Sequence, residues 1–214
     1  MNITSRAEWG AQPAKSHSKL HADRVSMIVL HHTTGVFTGR GTVQAIQRFH
    51  MGPDRKWADI GYNFLVAPTG EVFEGRGWDY TGAHARGHNS TSIGIAYIGD
   101  GRQSVPDAAK VSILRLSVEA DRRFGVLRRV GHRDVGSTVC PGDVLHAWWV
   151  SGPSLPSATP LESHVSDDRV PPSVSVPEQG EVSSERISER PSGIPDLRDG
   201  WRRHMDRMGW SRRR

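Results

Sequence analysis

Two histidines and the single cysteine of this chain are the residues best suited to bind a metal ion. His31 ends one apolar run, His132 ends another, and Cys140 follows His132 by eight residues in the segment GHRDVGSTVCPG. Zinc binds imidazole and thiolate readily, and three protein ligands leave a fourth tetrahedral position for water. Taken singly, each residue is equally well explained as an ordinary buried or surface side chain. Together they predict a catalytic zinc site.

The candidate ligands are predicted to lie at strand ends within one α/β domain over residues 1–150. Short apolar runs bounded by Gly, Pro and polar clusters are typical of buried strands. They occur at 25–32, at 94–99, in the two arms of a hairpin over 62–75, and at 126–132. Strand ends meet at the rim of a sheet, so His31 and His132 would lie close together. We predict a central mixed β-sheet flanked by helices.

Helices are predicted between these strands, where apolar residues recur every three or four positions. The segments are 42–50, a long helix that ends at Phe124, and 143–150. The tetrapeptide SVPD at 104–107 resembles a capping box, which would start the long helix. In that helix we expect Val111, Leu114 and Val118 to face the sheet.

Four segments of the chain resemble, in order, the motifs of a known enzyme family. They are LHHTTG (30–35), DIGYNFLV (59–66), GAHARGHNSTSIGIAYIG (82–99) and GHRDVGSTVCPG (131–142). The motifs are similar to those of zinc-dependent N-acetylmuramoyl-L-alanine amidases that share a fold with peptidoglycan recognition proteins, a group that includes many phage endolysins. The resemblance extends over about residues 5–150. It implies hydrolysis of the amide bond between N-acetylmuramic acid and L-alanine in bacterial peptidoglycan.

The resemblance also implies roles for individual residues. His31, His132 and Cys140 match the three zinc ligands of the family. Tyr62 matches a tyrosine beside the zinc-bound water. Thr138 matches a position that holds Thr or Lys and helps to stabilise the tetrahedral intermediate, where a neutral hydroxyl would act more weakly than a lysine. Iron, cobalt and nickel also accept His and Cys, and zinc is favoured because hydrolysis needs no redox change.

His32 follows the first candidate ligand directly and is expected to face away from it. Consecutive side chains of a strand point to opposite faces, so a regular strand cannot direct both His31 and His32 to one ion. We interpret His32 as a partner buried under the site rather than a metal ligand, and we include it among the candidate substrate-binding residues. The other candidate substrate-binding residues are His84, Arg86, His88, Asn89, Trp57 and Trp78. For the two tryptophans, core packing is the alternative interpretation.

Other hydrolase classes fit the sequence less well. A glycosidase needs two carboxylates about 5 to 9.5 Å apart, and none of the four motifs supplies such a pair. A serine hydrolase of the GxSxG type is disfavoured because that motif does not occur. The alternative function is a non-catalytic peptidoglycan-binding recognition module. The resemblance implies that such modules replace the cysteine ligand, which is present here as Cys140.

The end of the chain differs in composition from the predicted domain. Residues 151–192 are rich in Ser and Pro and hold no aromatic residue, which predicts a disordered linker. Residues 193–214 form a basic tail rich in Arg and Trp, in which a short helix would place Trp201, Met205 and Met208 on one face. We expect this tail to bind an anionic wall polymer or membrane. Nucleic-acid binding would explain the charge but not the four motifs.

The overall composition restricts the cellular setting. Lys and Arg number 28 against 23 Asp and Glu, and the single cysteine excludes an intramolecular disulfide. No apolar run is long enough to span a membrane, and the first residues lack the pattern of a secretory signal. We therefore expect a monomer that is made in the cytoplasm of a bacterial host without a signal peptide and acts at the cell wall after release.

Overall fold

A five-stranded mixed sheet forms the centre of the computed structural model, which describes residues 1–153. The strands are β1 (Met27–His32), β2 (Phe64–Val66), β3 (Val72–Glu74), β4 (Ser92–Tyr97) and β5 (Arg128–Gly131). Their order across the sheet is β3-β2-β4-β1-β5. β1 is parallel to both β4 and β5, β2 is parallel to β4, and β3 is antiparallel to β2. The predicted strands and hairpin are confirmed.

Four α-helices accompany the sheet within the part of the chain that the structure describes. They are α1 (Arg40–Met51), α2 (Asp107–Phe124), α3 (His132–Val135) and α4 (Asp143–Val150). Short 3-10 turns lie at Ala22–Arg24 and Asn89–Thr91. This arrangement confirms the predicted α/β fold class. No helix within residues 1–153 is long and apolar enough to cross a membrane. The predicted linker after residue 153 and the predicted basic tail lie outside the described residues.

The two faces of the sheet are both buried, which is why β1 is buried along its whole length and is apolar in succession, rather than in alternation, from Met27 to Leu30. Ile28 and Leu30 belong to the larger core cluster, which includes residues of α2 and α4. Val29 belongs to a separate cluster on the opposite face. Because side chains alternate along a strand, His31 shares the face of Val29 and His32 shares the face of Leu30.

The inward face of α2 differs from the predicted one. Val118 is 49% exposed and Val111 is only partly buried, whereas Leu114 is buried as predicted. The buried residues of this helix are Ala109, Ser112, Ile113, Leu114, Leu116, Ser117 and Ala120. The prediction was wrong because it counted large apolar side chains alone. Alanines at both ends of the buried stripe let the helix lie close to the sheet.

The ends of α2 give one correction and one confirmation. The helix begins at Asp107 after Pro106 and has no side-chain N-cap, so the predicted capping box at 104–107 is wrong. Proline is well suited to this boundary because it has no N–H to leave unpaired. Gly125 ends the helix at φ +85°, and its N–H donates to the Asp121 carbonyl at 2.9 Å, as expected for a glycine terminator.

His50 is a buried polar residue that joins α1 to the strand region. Its Nδ1 accepts the N–H of Gly61 at 3.1 Å, and its ring stacks on Trp57 with centroids 4.6 Å apart. Burial lowers the pKa of His50 to about 3, and the positive charges of Arg55 and Arg76 act in the same direction. His50 is therefore neutral at pH 7, as an acceptor at Nδ1 must be.

We predict that His50 makes the fold sensitive to mild acid. Its pKa is lower in the folded state than in the unfolded chain, so its contribution to stability is present above about pH 6.5 and is lost as pH falls toward 3. From pH 7 to pH 5, the free energy of unfolding should fall by about 2 kcal/mol more in the wild type than in His50→Gln. Urea unfolding at both pH values measures this difference, and equal losses in the two proteins would contradict the prediction.

Candidate metal centre

The parallel pairing of β1 with β5 brings two histidines to the same edge of the sheet. Leu30 lies opposite Gly131 in the strand register, so the next residues, His31 and His132, are neighbours at the carboxyl ends of their strands. Their rings lie 4.5 Å apart. Cys140 reaches the same point from the loop between α3 and α4.

The donor atoms of these three residues are close enough to share one ion. One ligand atom from each of His31, His132 and Cys140 lies within 4.8 Å of the others, and all three residues are buried. Cys140 Sγ is 3.7 Å from His31 Nδ1. Nitrogen and sulfur ligands of a tetrahedral zinc ion lie about 3.5 Å apart, given bond lengths of about 2.0 and 2.3 Å. The donor set and its spacing therefore fit a zinc ion.

Burial sets the protonation states of the three donors. It lowers the pKa of His31 far below its ordinary value and that of His132 to about 4, so both rings are neutral at pH 7 and have a lone pair for a metal. Burial raises the pKa of the Cys140 thiol to about 12, against a smaller opposing effect of the His32 N–H. A bound cation would favour the thiolate that this buried position otherwise disfavours.

Backbone contacts hold the cysteine in place. The N–H of His32 donates to Cys140 Sγ at 3.3 Å, and the N–H of Arg133 donates to the Cys140 carbonyl at 2.8 Å. Thr138 lies on the same loop, where its Oγ1 accepts the N–H of Cys140 at 3.2 Å. The Thr138 oxygen is therefore an acceptor toward its own loop, and its O–H remains a donor.

Tyr62 lies beside the metal ligands, as the motif predicts. Its ring centroid is 5.2 Å from that of His31 and 5.5 Å from that of His50. Burial raises the pKa of Tyr62 above its ordinary value, and the charge of a Cys140 thiolate raises it further. The phenol is therefore protonated at neutral pH and can donate a hydrogen bond next to the candidate ligands.

His84 contacts a candidate metal ligand, and Asn89 holds the backbone of His84 in place. The His84 ring is buried, and its Nδ1 is 3.0 Å from Nε2 of His31. Asn89 Oδ1 accepts the N–H groups of His84 and Ala85 at 2.8 and 2.9 Å. Sequence reasoning missed the contact between His84 and His31. The sequence signal that could have indicated it is Gly94 in the middle of β4, because a Cβ at this position would collide with the His84 ring.

The side chains of His32 and Trp78 lie on the face of the sheet opposite to His31. The His32 side chain is fully buried, and its Nδ1 accepts the N–H of Gly101 at 3.0 Å, so it supports that loop. Trp78 packs on Phe64 with ring centroids 4.3 Å apart, within the core cluster on the α2 side of the sheet. His31 faces the opposite side of the sheet. Trp78 therefore packs against the core, as the alternative interpretation of this residue expects.

The remaining candidate groove residues lie nearer the surface. Trp57 is half-buried and stacks on His50, which in turn contacts Tyr62. Arg86 is exposed in the loop that leads to β4, and His88 is partly exposed in the same loop. Trp57 is therefore the predicted wall residue that shares a side of the sheet with Tyr62.

Comparison with known proteins identifies the family. The model of a family described as N-acetylmuramoyl-L-alanine amidase matches residues 21–143. This chain belongs to that amidase family. Among its relatives, peptidoglycan-recognition protein SC2 of Drosophila melanogaster is 40% identical over 151 residues, which are 66% of this chain and 81% of the relative. The N-acetylmuramoyl-L-alanine amidase of Mus musculus is 36% identical over 155 residues, which are 67% of this chain and 29% of that protein.

A solved structure gives the same result for the fold. Peptidoglycan recognition protein-LE, in complex with tracheal cytotoxin, described as a monomeric diaminopimelic acid-type peptidoglycan, matches with a TM-score of 0.66 and 29% identity. The match covers 73% of this chain and 96% of that one. The predicted family and fold are confirmed, whereas zinc dependence and a phage origin stay predictions.

We predict that zinc stabilises the fold through Cys140. Zinc at about 100 times its dissociation constant should raise the free energy of unfolding by about 2.7 kcal/mol in the wild type. At the same zinc concentration, Cys140→Ala should lose most of this gain. Val139→Ala, which changes a neighbouring exposed side chain, is the matched control and should keep it. Urea unfolding with and without zinc provides the measurement, and equal gains in all three proteins would rule out Cys140 as a ligand.

Proposed function

We propose that this protein is a zinc hydrolase that cleaves the amide bond between N-acetylmuramic acid and L-alanine in bacterial peptidoglycan. One observation carries the proposal: His31, His132 and Cys140 present ligand atoms within 4.8 Å of one another. Tyr62, with its ring 5.2 Å from that of His31, adds a proton donor at the same place. Membership of the amidase family supports the reaction class.

The chain's own residues divide the work of the reaction. When bound, zinc supplies a Lewis acid that polarises the amide carbonyl and activates water. Tyr62 donates a hydrogen bond from its protonated phenol to the oxygen on which negative charge develops. Thr138 offers a second neutral O–H donor from the loop that holds Cys140. The buried surroundings of Tyr62 strengthen its hydrogen bond because little water competes for it.

Peptidoglycan is the proposed partner. The complex of peptidoglycan recognition protein-LE with a peptidoglycan monomer supports this choice of ligand. On this chain we assign the substrate surface to the side of Tyr62, where Trp57 is half-buried and the guanidinium of Arg55 lies 5.7 Å from its ring. An aromatic face and a cation suit a glycopeptide with apolar sugar faces and carboxylates.

The proposed biological setting is degradation of a bacterial wall, with lysis by a phage as its specific form. The basic tail supports attachment to an anionic wall polymer or membrane, because residues 201–214 hold six arginines and two tryptophans. This tail lies outside the described residues, and the attachment is independent of the amidase reaction.

Purified peptidoglycan distinguishes the proposed reaction from its alternatives. Digestion should release new amino termini without new reducing ends, and a chelator or Cys140→Ala should abolish the release. New reducing ends would indicate sugar cleavage instead. Binding to the same walls without any new amino termini would replace the enzyme with a recognition module, an alternative that the recognition-protein relatives support.

We predict that Tyr62→Phe lowers kcat by about 100- to 1,000-fold, because removing one preorganised donor to a developing oxyanion has an effect of this size. Zinc affinity should be unchanged, since the phenol is not a ligand. Tyr97→Phe removes the hydroxyl of another buried tyrosine on the opposite face of the sheet and should keep full activity. Measurement of kcat and zinc affinity for both variants checks this, and normal turnover by Tyr62→Phe would exclude the donor role.

A further inference from the structure

The two ring nitrogens of His31 face different partners. Nδ1 lies 3.7 Å from Cys140 Sγ, on the side where the three candidate ligands meet. Nε2 lies 3.0 Å from Nδ1 of His84, in a contact between two buried rings. A neutral imidazole has one N–H and one lone pair, so the partner at one nitrogen determines what the other nitrogen can do.

The position of His84 is fixed by its backbone. The Asn89 side-chain oxygen accepts the N–H groups of His84 and Ala85, as described above. The preceding residue, Ala83, donates its N–H to the Gly61 carbonyl at 2.7 Å, which ties the loop to the segment that leads to Tyr62. These hydrogen bonds thus fix the position of the His84 imidazole relative to His31.

Two glycines make room for the His84 ring. A Cβ on Gly82 or on Gly94 would overlap this ring, so the ring lies directly against the backbone. Gly94 is in the middle of the fully buried strand β4, a position where glycine weakens a strand because it packs no side chain. Glycine at this position therefore lowers the local stability of β4, and it leaves the space that the His84 ring occupies.

The Nε2 atom of His84 is a second feature that destabilises the fold. It is buried and has no hydrogen-bond partner among the described residues. A buried unsatisfied polar atom is rare and destabilising, so its presence calls for a compensating role elsewhere on the same ring. The contact at Nδ1 with His31 is the hydrogen bond that the His84 ring makes within residues 1–153.

We propose that His84 is a positioning residue for the metal centre: it accepts a hydrogen bond from Nε2–H of His31 and so directs the Nδ1 lone pair of His31 to the ion. This inference rests on the metal centre of the proposed function. Because His31 then has its proton on Nε2, His84 must have its own proton on Nε2, which is the buried unpaired atom. Partners of metal-bound histidines typically change metal affinity by about 10- to 100-fold when they are removed.

Two substitutions at position 84 separate the hydrogen bond from the volume of the ring. His84→Leu fills similar space without an acceptor, and His84→Asn retains a polar acceptor near the place of Nδ1. We expect His84→Leu to weaken zinc binding by about 10- to 100-fold. His84→Asn should recover most of the loss. His21→Leu, which changes an exposed histidine far along the chain, is the control and should bind zinc normally.

Zinc affinity is measured by competition with a chelator, in the absence of substrate, and thermal unfolding of the metal-free proteins reports on folding. Unchanged affinity in a folded His84→Leu would overturn the proposal. Equal losses in the Leu and Asn variants would also overturn it, because the acceptor would then not be the cause. If the wild type does not bind zinc, both the metal centre and the role of His84 are disproved. If the wild type binds zinc normally but does not cleave the amide, only the proposed reaction is disproved, and the role of His84 is still decided by the zinc affinities of the variants.

Nitrogen-15 NMR of the zinc-loaded wild type gives a test that needs no variant. Imidazole nitrogens with a proton, with a lone pair and with a metal have distinct chemical shifts. We expect His31 to have a protonated Nε2 and a metal-bound Nδ1, with His84 protonated on Nε2. The reverse assignment of the two His31 nitrogens would overturn the proposal even if every substitution at position 84 prevented folding.

Discussion

The parallel pairing of β1 with β5 is the constraint on which the metal centre depends. With Leu30 opposite Gly131, the next residues, His31 and His132, start from neighbouring points, and their imidazoles meet without any special loop. A shift of one residue in this register would turn His31 to the other face of the sheet. The buried apolar side chains on both faces of β1 prevent such a shift, because each would have to exchange its packing.

Burial gives this centre its chemistry as well as its position. The same exclusion of water keeps the imidazoles neutral, keeps Tyr62 protonated and disfavours the Cys140 thiolate. A bound metal ion would stabilise the Cys140 thiolate that burial disfavours, and it would bind the lone pairs that burial keeps available on the neutral imidazoles. The apolar shell is therefore part of the site, and the sheet, α1 and the loops around the ligands support function through desolvation as much as through geometry.

Much of the site was visible in the sequence, since the ligands and Tyr62 belong to short local motifs. Strand alternation was enough to separate His31 from His32. The contact of His84 with His31 was not visible, because it depends on where a loop reaches after folding. For Trp78 the sequence left a groove wall and core packing open, and the contact with Phe64 decides for core packing. The inward face of α2 was missed for a related reason: Ala109 and Ala120 pack well but contribute little to an apolar pattern.

Anomalous diffraction at the zinc edge, from crystals of zinc-loaded protein, tests the metal centre most directly. We expect one peak within about 2.4 Å of His31 Nδ1, a ring nitrogen of His132 and Cys140 Sγ. Nε2 of His31 should remain in hydrogen-bond contact with His84. A peak between His31 Nε2 and His84, or a zinc ion bound without Cys140, would contradict the assignment of ligands on which the proposed amidase reaction rests.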